Sequence, residues 1–218
     1  MTKLDFLSGF RVLDITNERG YFCAKILADL GAEVIRVEPP ESKKHRKDLC
    51  WWAYNAGKKV IYLDILKERE RLRHLIEEVD FVIQSFSPAE VEALGLDYSE
   101  LAKVNPRLVV TSITPFGLTG PYKDFKASDL ELMAISGFMY VLGDPDRPPV
   151  RISFPQAYLI ASAEAVVGSL IAHYWRMISG EGQLVDVSVQ ESLFATLMHG
   201  PFLLTWQGIN PVSYTHLT

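Results

Sequence analysis

Cysteine is scarce in this chain. Its 218 residues hold two, Cys23 and Cys50, which excludes a disulfide framework and a four-cysteine metal centre. There is no basic excess either: 22 Lys and Arg stand against 27 Asp and Glu, and the net charge of -5 leaves no electrostatic footprint for nucleic acid. The five histidines, at 45, 74, 173, 199 and 216, are scattered without metal-ligand spacing, so no metal is expected. No uncharged apolar run reaches the ~20 residues of a membrane span. The opening MTKLDF lacks the apolar core of a signal peptide, and the expectation is a cytoplasmic protein. A G-x-G-x-x-G dinucleotide fingerprint is missing, as are internal repeats and low-complexity linkers.

What is present is ordinary globular material, 48% hydrophobic and 22% charged. Short β-rich runs alternate with helical patterns. Strands are predicted at 11–15, 33–38, 60–65, 81–86 and 108–113. Helices are predicted at 21–30, closed by Gly31, and at 67–79. This alternation, with short connections, points to an α/β fold: a Rossmann-like parallel sheet with flanking helices. The later chain reads as more helical. A helix is predicted over 128–142. A second, over 156–178, is apolar round much of its girth and should be deeply buried. A last strand at 184–188 and a helix over 190–206 complete the pattern. The terminal PVSYTHLT, 211–218, breaks it and reads as a non-native tail, leaving one domain over 1–210.

GFRVLDIT at 9–16 with LADLGAEVIRVEPP at 27–40 is a strand-helix-strand unit. A helix N-terminus after the first strand can receive an anion, because free N–H groups and the helix dipole both favour one. On its own the segment reads as a plain structural unit. Further motifs follow: NAGKK at 55–59, QSFSP at 84–88, LGLDYSEL at 94–101, NPRLV at 105–109 and FGLTGPY at 116–122. PQAY at 155–158 opens the long helix, GSLIA lies at 168–172, and GEGQLVDVS at 180–188 closes the series. In this order, from about Gly9 to Ser192, they resemble the family III CoA-transferases.

The resemblance implies coenzyme A, as substrate and product thioester, held by strand ends and the loops after them. Lys58 would then face CoA phosphate as a point charge, and Phe86 would pack near the adenine. Asn17 and Gly20 lie in the first loop, where the family contacts CoA through backbone; that loop departs from the usual A-G-P. Ser85 and Ser87 stand where the family has asparagine and arginine, which should weaken the contacts. Read alone, Lys58 and Lys59 are a solvated pair at a strand start, and Phe86 is a core aromatic.

Tyr158 stands where the family carries its nucleophilic aspartate, the carboxylate that forms a mixed anhydride and releases CoA thiolate. A phenol, with a reference pKa of about 10, is neutral at pH 7 and forms no acyl anhydride. Glu164 lies six residues on, about 240° round a helix, and projects from another face. Asp144 and Asp146 belong to a turn-rich loop, GDPDRPP at 143–149. The family's racemases pair a histidine with the aspartate; their H-D aligns with Ser128 and Asp129, so both bases are missing.

Three functions follow. The first is a CoA-binding, non-catalytic subunit of a CoA-transferase heterodimer, acting on an acyl-CoA and a carboxylic acid. The others are an active transferase or acyl-CoA isomerase using another carboxylate, and a CoA-binding protein without chemistry. The family chain is about twice this length and forms interlocked dimers, so the sequence reads as an amino-terminal half with part of its later helices exposed.

Overall fold

A computed structural model describes residues 6–44, 48–144 and 146–208. β1 (Arg11–Ile15) leads through the loop 16–20 to α1 (Tyr21–Asp29). Gly31, at φ +107, turns the chain into β2 (Glu33–Glu38) as expected. A short 3-10 turn (Pro40–Lys44) and α2 (Leu49–Asn55) precede β3 (Lys59–Tyr62). Asp48 caps α2 by accepting from the Trp51 N–H at 2.6 Å. Then come α3 (Arg69–Glu77), β4 (Phe81–Gln84), α4 (Pro88–Leu94), α5 (Tyr98–Val104) and β5 (Val109–Thr114). The rest is α6 (Asp129–Ile135), α7 (Phe138–Val141), α8 (Gln156–Ser179), β6 (Gln183–Ser188), α9 (Val189–Thr196) and α10 (His199–Gln207).

The six strands form one sheet in the order β3-β2-β1-β4-β5-β6, every pair parallel. The winding therefore reverses between β1 and β4, and the carboxyl ends of those strands open a crevice. Period-two alternation sorts the core into two layers. Val12, Val34, Phe81, Ile83, Val109 and Ile113 face α1 and α8. Leu13, Ile15, Val37, Val82, Leu108 and Val110 pack with Leu72, Ile76, Val91 and Leu101 of α3–α5 on the other face. Helices thus cover both faces, as the expected Rossmann-like architecture requires.

Several sequence expectations need correction. The helix over 128–142 is two helices, because Gly137 at φ +89 interrupts it. The helix over 190–206 also divides, at Leu197 and Met198. α2, α4 and α5 are too short, at about two turns each, to show a helical period in the sequence. α4 did carry a legible signal: Ser87 and Glu90 form a capping box with Pro88 at the first helical position.

α8 is not deeply buried. Ala157, Ala161, Ala165, Ser169 and Ala172 are buried against α1, β5 and β6. Val167, Ile171, Tyr174 and Ile178 form an exposed stripe along the opposite side. Close approach explains the small residues: a Cβ at Gly168 would stand 2.6 Å from Val185 Cγ1. By length and composition α8 could cross a membrane, and half of its most apolar window is buried within the fold. The expected 211–218 tail lies outside the described residues.

Candidate functional site

The face of the sheet that is apolar at the strand starts becomes charged at the strand ends. Asp14 and Arg36 are direct cross-strand partners, both in register and on one face with Glu38 and Thr16. Arg36 Nη1 donates to Asp14 Oδ1 at 2.8 Å, and its Nε donates to Glu38 Oε1 at 3.0 Å. Lys58 Nζ donates to Asp14 Oδ2 at 2.9 Å, to the Tyr21 carbonyl at 2.8 Å and to Asn55 Oδ1 at 2.9 Å. An ammonium has three donors, and here all three are used. Burial alone would raise the Asp14 carboxyl, but Arg36 and Lys58 beside it hold it below the usual carboxylate range.

The Lys58 side chain is fully buried, and its charge neutralises Asp14 inside the fold. The cause is local: Asn55 ends α2, and Lys58, three residues later, reaches both the Asn55 side chain and Asp14.

The crevice at the reversal of strand order encloses about 700 Å³. Asn17, Ser85 and Phe86 line it together. The Asn17 N–H donates to Ser85 Oγ at 2.8 Å, tying the loop after β1 to the end of β4. Ser87 also lines the crevice while capping α4. Gly20 is absent from that wall. It precedes α1, and a Cβ there would collide with the Thr16 side chain. Sequence reasoning missed the cations of the crevice: Arg19, Arg36, Lys123 and Lys126. Arg36 did leave a signal, an arginine between Ile35 and Val37 in the interior of a strand. Arg19 Nε and Thr114 Oγ1 are buried here without a protein hydrogen-bond partner. Cations and unpaired polar groups at a strand-order reversal suit a phosphorylated, nucleotide-bearing ligand.

Tyr158 lies in the first turn of α8 and is 8% exposed. It lines a second cavity of about 420 Å³ shared with Glu18, Tyr21, Trp51 and Phe154. Burial raises the Tyr158 phenol above its ordinary value; Arg19 opposes this and Glu18 and Asp129 reinforce it. The phenol is neutral at pH 7. Asp129 is a further residue the sequence did not single out for this place. Its Oδ1 accepts from the Ala157 N–H at 3.0 Å and its Oδ2 from Arg151 Nη1 at 3.1 Å. A carboxylate thus pins the start of α8 one residue before Tyr158. The two cavities are neighbours, since Glu18 faces one and Arg19 the other.

The family described as CoA-transferase family III matches residues 7–212. The chain is 42% identical to the succinyl-CoA:(R)-benzylsuccinate CoA-transferase subunit BbsE of Thauera aromatica over 85% of its length and 49% of that subunit. It is 36% identical to the succinyl-CoA–D-citramalate CoA-transferase of Chloroflexus aurantiacus over 82% of its length and 47% of that enzyme. A crystal structure of a CAIB/BAIF family protein from Brucella suis superposes with a TM-score of 0.87 at 31% identity, covering 94% of this chain and 59% of the other. The chain spans about half the length of the curated relatives it matches. On this match, and on the parallel sheet and crevice beneath it, the chain belongs to the family III CoA-transferases.

Proposed function

We propose that this chain binds coenzyme A or an acyl-CoA in the cationic crevice and serves as the non-catalytic subunit of a CoA-transferase heterodimer. The carrying observation is Tyr158. A buried, neutral phenol occupies the first turn of α8, where the family resemblance places the nucleophilic aspartate. It cannot form the mixed anhydride through which CoA would pass to an acceptor acid. In the crevice, Arg19, Lys123 and Lys126 offer charge to CoA phosphates, and Phe86 offers a face to the adenine. The similarity to a transferase subunit supports a heteromeric assembly. On this reading the acyl chemistry resides on an aspartate-bearing paralogue.

The test is acyl transfer by the full-length protein, alone and mixed with such a paralogue. Activity is expected only in the mixture, together with CoA binding by the full-length chain alone. Turnover by the chain alone that disappears in Tyr158→Phe would overturn the reading.

Asp129 supports a second reading, an active transferase that uses another carboxylate, because it reaches the start of α8. Its two oxygens are already engaged and its side chain is only 8% exposed, which weighs against attack on a thioester. Hydroxylamine trapping followed by peptide mapping decides between the two: a hydroxamate at Asp129 would establish the second.

A further inference from the structure

The cavity beside Tyr158 is chemically the opposite of the crevice. Its walls are rings: Tyr21, Phe22, Trp51, Tyr54, Phe154 and Tyr158. Among the described residues that line it, the charged ones, Glu18 and Asp48, are both acidic. We infer that this cavity takes the acyl portion of the thioester and that the acyl group carries a neutral aryl ring. The inference rests on the reading that the neighbouring crevice holds CoA.

Charge argues first. A dicarboxylic acyl group would bring its free carboxylate towards Glu18 and Asp48, with no cation among the described lining residues to meet it, and like charges in a partly desolvated site repel. An aryl ring brings no charge and buries apolar area against apolar walls. Geometry argues second. Phe22 and Tyr54 meet edge to face with centroids 5.6 Å apart, and Tyr54 and Phe154 stand 6.5 Å apart at a tilt. A bound ring would extend a series of contacts already at the preferred aromatic separations. Preorganisation argues third. The Trp51 indole N–H donates to Glu38 Oε1 at 3.1 Å, and the Arg36 guanidinium lies 4.5 Å from the centre of the Tyr21 ring. The buried charge network therefore fixes two walls before ligand arrives, which removes part of the ordering cost of binding. The cavity's size lies within the usual range for a small-molecule site. Arg36 lines the crevice and stacks on Tyr21 of the cavity, so the two sites adjoin.

The experiment measures dissociation constants of the full-length protein, or its purified complex, for CoA, 3-phenylpropanoyl-CoA and succinyl-CoA. The aryl thioester is expected to bind at least tenfold more tightly than CoA, and succinyl-CoA no more tightly than CoA. Phe154→Ala, at a partly exposed position, should reduce the aryl gain at least fivefold while leaving the CoA constant unchanged. Asp48→Asn, which keeps a capping side chain, should selectively improve succinyl-CoA. Equal affinity for the two thioesters, or an aryl gain that survives both Phe154→Ala and Tyr54→Ala, would overturn the inference while leaving CoA binding intact. If CoA itself fails to bind, the crevice reading fails. Saturation-transfer NMR with neutral 3-phenylpropanamide then tests the cavity alone, and a signal lost in Phe154→Ala supports the ring site, whereas no signal overturns it.

Discussion

Asp14 shows how single residues at this site serve the fold and the crevice together. Its two oxygens are divided between Arg36 and Lys58, and removing one partner leaves a charge buried without compensation. Lys58→Met should therefore destabilise the protein by about 3–5 kcal/mol, read from denaturant midpoints. A loss below ~1 kcal/mol would mean that water reaches Asp14. The pH dependence has a definite sign. The folded-state value of Asp14 is depressed, so its contribution is complete above the unfolded value of about 4 and is lost as pH falls further. An acid-unfolding curve of Asp14→Asn should be flatter than wild type below about pH 4. The crevice lysines are different in kind. Lys123 and Lys126 lie on an exposed loop, so replacing either by alanine should leave stability unchanged. Each replacement should weaken CoA roughly threefold to fivefold, with a shallower salt dependence.

At the scale of elements, a buried cation helps to tie α8 to the sheet. Arg176 is 2% exposed; its Nη1 donates to the Asp80 carbonyl at 2.8 Å, and its guanidinium lies 4.9 Å from the Phe81 ring centre. Its Nη2 stands 2.6 Å from His173 Nδ1, so that nitrogen must accept and the imidazole is neutral. Burial, with Arg176 beside it, depresses the His173 pKa. An imidazole that resists protonation only when folded contributes stability above about pH 6.5 that is lost as pH falls below that value. His173→Gln should reduce the slope of stability between pH 5 and 7 in thermal melts at stepped pH; an unchanged slope would show that the ring protonates freely in the fold. Gly182 fixes the other end of this unit. A Cβ there would collide with the Leu108 carbonyl, a backbone atom with nowhere to go. The sequence announced the strand-helix alternation and Gly31, because hydrophobic period and glycine punctuation are local signals. Arg176, His173 and Asp129 were not legible as a set. Their partners lie 22 or more residues away, apart from the Arg176–His173 contact, and periodicity cannot report which charge a fold will bury. The crevice was partly legible, through Asn17, Ser85 and Phe86, since strand ends are local. Its cations come from the loop after β1, from β2 and from the loop before α6, which only the topology brings together.

At the scale of the whole molecule, the large exposed face of α8–α10 calls for a covering. Val167, Ile171, Tyr174 and Ile178 recur at three- and four-residue spacing and are 57–64% exposed, with Met177 beside them. Phe194, Met198, Phe202, Leu204 and Trp206 continue the apolar surface. Scattered apolar residues are normal on a protein surface, but a continuous stripe along a 24-residue helix marks a contact. The chain spans about half of its curated relatives, and the heterodimer proposed above would seat a partner on this face. Ile171→Lys with Ile178→Lys separates this possibility from a solvent-facing helix. Both side chains are 64% exposed, so within this part of the fold lysine adds no clash and leaves circular dichroism unchanged. If the face is covered in the assembled full-length protein, two buried isoleucines are lost, each worth about 1.5–3 kcal/mol when fully buried, and two charges enter the interface. The complex should then dissociate in sizing and light-scattering measurements, with transfer activity lost in parallel. An unchanged mass and activity would show that the stripe faces water.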